Sequence, residues 1–399
     1  MDFKFSEDEE RRRKELFDVC RELDKGKPKG FLGMEAMWGS EEGIAYDRRC
    51  RREFAKRGWM RLGWPAEYDG VGTMLDRVFL SEARGYYGIP FGNIFNETMV
   101  APTLIAVGDK ELIKRFLPPI ANDEVTWCIL WSEPNAGSDL ANVQTTAIRK
   151  GNEYILNGQK TWTSGAHCAD WAVGLFKSDL EARKHHNLSF LTLDMKTSGI
   201  TIRPLYFFNG EHFYNEVFFD DVHVPVENLV GQENDGWQVT ELMAGFERSN
   251  IASIAGQQRQ LDDLIKYCNE TKVGGKLLAH DPIIRSRLAE VACEIEALRT
   301  VAYHVADLQT KKQMAFFDAA AIKVFSGELG ERIAFAGADI MGSYGQVEDS
   351  KWAAQEGRWE AAYQSCLIMT IAMGTNEIQK NVIAWYGLGM PRPPRPVKK

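Results

Sequence analysis

The sequence predicts an α+β protein in which the strands lie together between two helical regions. Three observations carry this. Up to about residue 125 the apolar residues recur at helical spacing. From about 126 they shorten to strand-length runs. Beyond Gly236-Trp237 long helical stretches return. Strands segregated from helices in this way exclude an alternating βαβ chain. The expected domains are a helical domain at 1–125, a β domain (barrel or sheet) at 126–237, and a C-terminal four-helix bundle with a Pro-rich tail at 238–399.

The elements follow in order. Asp8 to Leu23 is charged, with Leu16, Phe17, Val19, Cys20 and Leu23 at helical spacing. Gly63-Trp64-Pro65 and Asp69-Gly70 are turn signals. Val100 to Phe116 reads as a second helical region, ended by Pro118-Pro119. Runs around 126–131, 154–156, 172–176, 189–193, 217–219 and 222–224 favour strands, and Asn157-Gly158 predicts a hairpin turn. Long helices are expected near 238–272, 281–310, 315–340 and 355–385. The tail from Pro391 to Lys399 is too rich in proline for either.

A chain of 399 residues can bury a large core. Its net charge of -8, with both signs interspersed, argues against a nucleic-acid partner. No apolar run approaches the roughly 20 residues of a membrane helix, and the first residues hold no apolar signal core. The seven cysteines are scattered, without a Cys-x-x-Cys pair, which suits reduced thiols in a cytoplasmic protein. The seven histidines show no metal-ligand spacing, so no metal is expected; His185-His186 reads as solvated loop.

Trp131-Ser132-Glu133-Pro134-Asn135-Ala136-Gly137-Ser138-Asp139 joins a strand to a small-residue loop, where amides and hydroxyls can approach a phosphate or a flavin edge. With Asn157-Gly158-Gln159-Lys160-Thr161-Trp162-Thr163-Ser164 it closely resembles the middle domain of acyl-CoA dehydrogenases. Val100-Ala101-Pro102-Thr103, Phe116-Leu117-Pro118, Val222 to Trp237 and Ile371 to Gln379 extend that resemblance, in family order, over nearly the whole chain. The resemblance implies FAD held between the β domain and the C-terminal bundle. Ser132 would face the flavin pyrimidine end and Ser138 the pyrophosphate, on a loop opened by Gly137. Trp162 would pack on the isoalloxazine, although by itself a tryptophan there reads as core. Ser164, where the family often has threonine, would sit near N5, and Thr375 would touch the cofactor from the bundle.

In this family a glutamate commonly precedes Gly-Thr and removes the substrate α-proton while FAD accepts a hydride from Cβ. Here Met373 takes that place, and methionine cannot accept a proton. Glu247, in Phe246-Glu247-Arg248, stands where a minority of the family carry the base. Read alone, Glu247-Arg248 is a helix-surface pair; the loss at 373 and the gain at 247 together make Glu247 the candidate base. Arg248 would line the substrate side, and Met373 would partly fill the space left by the usual glutamate. Glu377 matches a residue the family often places beside the cofactor.

A second departure concerns the surface by which family tetramers complete a neighbour's FAD site. Thr271 stands where the family has arginine, Gly274 where it has phenylalanine, and Asp339 where it has glutamine. The resemblance is closest to the base-bearing subunit of α2β2 steroid-CoA dehydrogenases. It implies a second, homologous subunit as partner, a homotetramer being the alternative. The expected reaction is dehydrogenation of an acyl-CoA, branched, cyclic or steroid-like, to the enoyl-CoA, with electrons passed to electron-transfer flavoprotein. Two other readings stay open: a flavin oxidase or monooxygenase of the same fold, and a non-catalytic subunit that supports a partner.

Overall fold

The computed structural model describes residues 4–28, 38–90, 95–246, 250–311, 313 and 316–392. In chain order the helices begin with α1 (Glu7–Asp24), α2 (Glu41–Lys56), α3 (Met74–Tyr87), α4 (Ala101–Val107) and α5 (Lys110–Ala121). Strands β1 (Trp127–Leu130), β2 (Thr146–Lys150), β3 (Glu153–Lys160), β4 (Trp171–Lys177), β5 (Leu188–Asp194), β6 (Ile200–Tyr206) and β7 (His212–Pro225) follow. Helix α6 (Gly236–Gly245), helix α7 (Ile251–Glu270) and the short hairpin β8 (Lys272–Val273) and β9 (Lys276–Leu277) come next. Helices α8 (Pro282–Thr310), α9 (Phe316–Met341), α10 (Arg358–Ser365), α11 (Ile368–Ile371) and α12 (Asn376–Val382) complete the described chain. The chain divides into two compact units: residues 26–73 with 89–248, and residues 1–25 and 74–88 with 249–399.

The first unit is built on a seven-stranded sheet of order β1-β4-β2-β3-β7-β6, with β5 pairing the whole length of β4 along its other edge. Both faces are covered, and the period-2 alternation of β4 shows why. Val173 and Leu175 join one apolar cluster with Phe116, Trp127, Val239 and Met243, while Ala172 and Phe176 join another with Leu130, Leu191 and Val217. Phe116 wedges between Trp127 and Trp171, with ring centroids 4.9 and 4.8 Å away.

Two turn expectations fail here. Asn157 and Gly158 lie inside β3; the hairpin turn is Gly151-Asn152, which joins Lys150 to its partner Glu153. Gly158 marks a bulge, where the β3–β7 register shifts, and a Cβ there would meet Thr145 at 2.7 Å. Asn157 closes the bulge by exchanging hydrogen bonds with Asp221 at 2.9 and 3.0 Å. Pro118 and Pro119 do not end their helix, which runs on to Ala121. Proline φ is helical, and the carbonyls it leaves unpaired belong to exposed Lys114 and Arg115, which water can reach.

In the second unit α1, α3, α7, α8 and α9 pack around Ile254, Leu264, Ile295, Leu329 and Ile333. Gly85 lets α3 meet α7 closely, since a Cβ there would lie 2.1 Å from the Ala252 carbonyl. Buried Asp76 and Glu82 are met by Arg12 at 2.7 Å and Arg13 at 3.0 Å, and Glu82 also accepts from the Tyr303 hydroxyl at 2.6 Å. Instead of one helix over 355–385, the chain breaks three times. One of these breaks falls at Met373 and Gly374, both left-handed at φ +56° and +77°.

Candidate functional site

The candidate residues divide between the two units. In the sheet unit they sit on two neighbouring loops. The loop leaving β1 carries Ser132, Gly137 and Ser138; the loop leaving β3 carries Trp162 and Ser164. The Thr161 amide donates to the Ser132 carbonyl at 2.9 Å and so binds one loop to the other. Beneath them lies a buried ion pair that the sequence reading did not single out. Lys160, fully buried, donates to Glu133 at 2.8 Å and to the carbonyls of Trp131 (3.1 Å) and Leu175 (2.7 Å). Glu133 also accepts from the amides of Gln144 (2.6 Å) and Thr145 (3.0 Å), which fixes the far end of its loop. Burial pushes the Glu133 carboxyl up, but Lys160 and these amides outweigh it and hold the group below the usual carboxylate range.

Above this base the surface is polar and open. Trp162 is 52% exposed, at φ +57°, with its ring edge-on to Tyr214 at 5.6 Å. It is therefore no core aromatic. Ser132 and Ser164 are half-buried and Ser138 is exposed. Among the described residues none of their three hydroxyls makes a hydrogen bond. A Cβ at Gly137 would meet nothing within 4 Å, so a ligand has clear access to the backbone there. Trp131 Nε1 and Thr163 Oγ1 are buried without partners, one on each loop. A planar ring held out beside free hydroxyls, on loops pinned from below, fits a flavin.

The bundle unit holds the turn around Met373. Met373 is 59% exposed, so among its own unit's residues it fills no pocket; its carbonyl accepts from Gln379 at 3.1 Å. Thr375 has a structural duty that the sequence reading missed: it is the N-cap of α12, its hydroxyl accepting from the Ile378 amide at 3.3 Å. The α12 backbone amide of Glu377 itself, then the Thr375 hydroxyl, hold the Glu377 carboxyl below its usual range. Lys323 on α9, nine-tenths buried, donates to Asn376 Oδ1 (2.9 Å) and to the Thr370 carbonyl (3.2 Å). One helical turn on, Ser326 accepts from Asn250 at 2.5 Å and, through its carbonyl, from Gln257 at 2.7 Å. Burial pushes the Lys323 ammonium down to about 8, with Glu377 opposing. Glu247 and Arg248 lie outside the described residues.

Two of the three departures at 271, 274 and 339 have a local explanation. Gly274 and Gly275, at φ +58° and +81°, are the two-residue turn between β8 and β9, a conformation that favours glycine over phenylalanine. Asp339 is paired with Arg287 at 3.0 Å, so its charge is offset locally.

The acyl-CoA dehydrogenase N-terminal, middle and C-terminal domain families match residues 27–124, 128–222 and 234–386. Acyl-CoA dehydrogenase FadE26 of Mycobacterium tuberculosis is 34% identical over 356 residues, 86% of this chain and 88% of that protein. The Tcur3481-Tcur3483 steroid ACAD structure superposes with a TM-score of 0.88 at 27% identity, covering 98% of this chain and 100% of that one. The ChsE4-ChsE5 complex from Mycobacterium tuberculosis does so at 0.86 and 31%, with 98% and 100% coverage. With its three domains matched in order and the flavin-fitting loops in place, the chain belongs to the acyl-CoA dehydrogenase family of FAD-dependent oxidoreductases.

Proposed function

We propose that this protein dehydrogenates an acyl-CoA thioester at its α,β bond, with Glu247 as the base. The observation that carries the reading is that the 372–375 turn, where the family resemblance leads one to expect a carboxylate, presents Met373, while the sequence supplies a carboxylate at Glu247. FAD supplies the hydride acceptor. Ser132, Ser138 and Ser164 orient it through their uncommitted hydroxyls, and Trp162 covers its ring. Glu247 takes the α-proton, and Arg248 and Met373 line the acyl path. A bulky cyclic or steroid-like acyl group is supported by the steroid ACAD among the structural matches. Electron-transfer flavoprotein is the expected acceptor, and the cytoplasm the expected site. A heteromer with a second homologous subunit is supported by Thr271 and by the paired chains of two structural matches. Gly274 and Asp339 support it less, since a tight turn and Arg287 account for them.

The test is Glu247→Gln. FAD should stay bound while anaerobic acyl-CoA no longer bleaches the flavin. Bleaching at the wild-type rate would remove Glu247 from the role. Full flavin loading and turnover by the chain purified alone would refute the heteromer.

A further inference from the structure

The loop carrying Trp162 and Ser164 is held from below by one side chain, Asn215 of β7, which is wholly buried. Thr163 and Asn215 exchange backbone hydrogen bonds, both 3.0 Å, and the Gly165 amide donates to the Phe213 carbonyl at 2.9 Å. The Asn215 side chain adds three contacts. Its nitrogen lies 3.1 Å from the Thr163 carbonyl and 3.1 Å from His167 Nδ1; its oxygen lies 2.9 Å from His212 Nε2. His167 Nε2 is 3.0 Å from the Trp38 carbonyl, and the His167 and His212 rings stack with centroids 4.0 Å apart. Gly165 makes room for Trp38, whose ring would lie 2.3 Å from a Cβ there.

Proton positions follow from the two carbonyls, which can only accept. The Asn215 nitrogen must face Thr163, so its oxygen faces His212, which carries its proton on Nε2. The second Asn215 N–H points at His167 Nδ1, which must be bare. His167 therefore holds one proton, on Nε2, and gives it to Trp38. Every donor meets an acceptor only while His167 is neutral. A second proton on His167 would set N–H against N–H. Turning the Asn215 amide over would then oppose its nitrogen to the His212 N–H and its oxygen to the Thr163 carbonyl. Either way the Asn215 side chain can no longer satisfy Thr163 and both rings at once, and its hold on the loop weakens.

We propose that His167, acting through Asn215, is a positioning residue that holds the 161–165 loop, with Trp162 and Ser164, in its flavin-facing shape only while its ring is neutral. The proposal rests on the reading that these two residues face the flavin. The groups around the ring agree with it. From β7 the ring meets His212, and Tyr206 of β6 lies 5.5 Å from His212. From α2, Asp47, Arg48 and Arg51 act on the neighbouring Cys168 thiol. Among the described residues no carboxylate pairs with either ring. Burial, then His212, lowers the His167 pKa, with the Trp38 carbonyl opposing. Because the folded value is depressed, the tie is fully present above the ordinary histidine value of about 6.5 and is lost as pH falls through the lowered one.

The test uses the full-length holoenzyme. Hydrogen exchange of the peptide spanning Thr163 and Gly165, corrected for intrinsic rate, and the flavin absorption band are followed from neutral to acid pH. Wild type should show opening that grows by up to about tenfold per pH unit within that window, with a matching flavin shift. His167→Gln should show neither. Asn215→Asp, whose carboxylate accepts from a charged His167 but offers Thr163 no N–H, should leave the loop more open already at neutral pH and no longer open further in acid, and covers the case in which His167→Gln does not fold. Acid opening unchanged in both variants overturns the tether. Opening that follows His167 while the flavin band stays still overturns the flavin-facing half alone.

Discussion

Replacing Lys160 by methionine should be among the most damaging single changes in the sheet unit. It removes the ammonium from Glu133 and from two carbonyls at once, in a place where Lys160 has no exposed surface and water cannot substitute. Removing one member of a buried pair costs about 3–5 kcal/mol. Two stranded carbonyls would add to that at about 1 kcal/mol or more each. Glu133 offsets part of the loss, because it keeps the amides of Gln144 and Thr145. We expect a net loss of about 3 kcal/mol, which at 2–4 °C per kcal/mol lowers Tm by about 6–12 °C. The assay is thermal unfolding of the holoenzyme, read by circular dichroism and by the fluorescence of released FAD. Because both loops of the flavin face rest on this pair, FAD release should precede loss of secondary structure in the variant. Adding Glu133→Gln removes the stranded charge, so the double variant should be more stable than the sum of the singles predicts by at least 1 kcal/mol. A loss under 1 kcal/mol, or strict additivity, would refute the reasoning.

Further outcomes follow from other contacts. Gly165→Ala adds a Cβ at φ +65° and 2.3 Å from the Trp38 ring, and should cost about 1–3 kcal/mol in urea unfolding. Lys323→Met should speed hydrogen exchange across 370–376 about tenfold or more, since Asn376 and the Thr370 carbonyl lose their donor. Arg287→Ala breaks an exposed pair and should shift stability by less than about 1 kcal/mol. Asp123, beside Arg51, is pushed up to about 6 by burial, with Arg51 opposing and Asp47 and Glu97 adding. That raised value makes its contribution fully present below the ordinary 3.8 and lost as pH rises through about 6. Asp123→Asn should therefore gain Tm relative to wild type between pH 4 and 8; parallel curves would contradict this.

The α+β order and most elements were legible because the apolar period is a local property. Val173 and Leu175 against Ala172 and Phe176 can be read as two faces from the sequence alone. What was not legible depends on partners far along the chain. Asn157-Gly158 has the composition of a hairpin turn, but Asp221 and Thr145 make it a bulge. Pro118-Pro119 looks like a stop, and only the solvent beside Lys114 and Arg115 lets the helix pass. At the site, the motif residues on the open surface could be carried over from the family pattern. The groups beneath them could not. Lys160 and Glu133 are charged, and a charge in a sequence suggests surface until its counter-ion is located; Asn215 and His167 meet only across the sheet.

One turn of α9 couples two segments that are far apart in sequence. Lys323 grips the 370–376 turn and Ser326, three residues later, grips Asn250 at the start of α7. The 370–376 turn and the start of α7 are thus moored to neighbouring rungs of one helix. One side chain at each rung therefore sets the order of a segment far from it in sequence. A disturbance in that single turn of α9 reaches both segments at once, although more than a hundred residues of chain separate them.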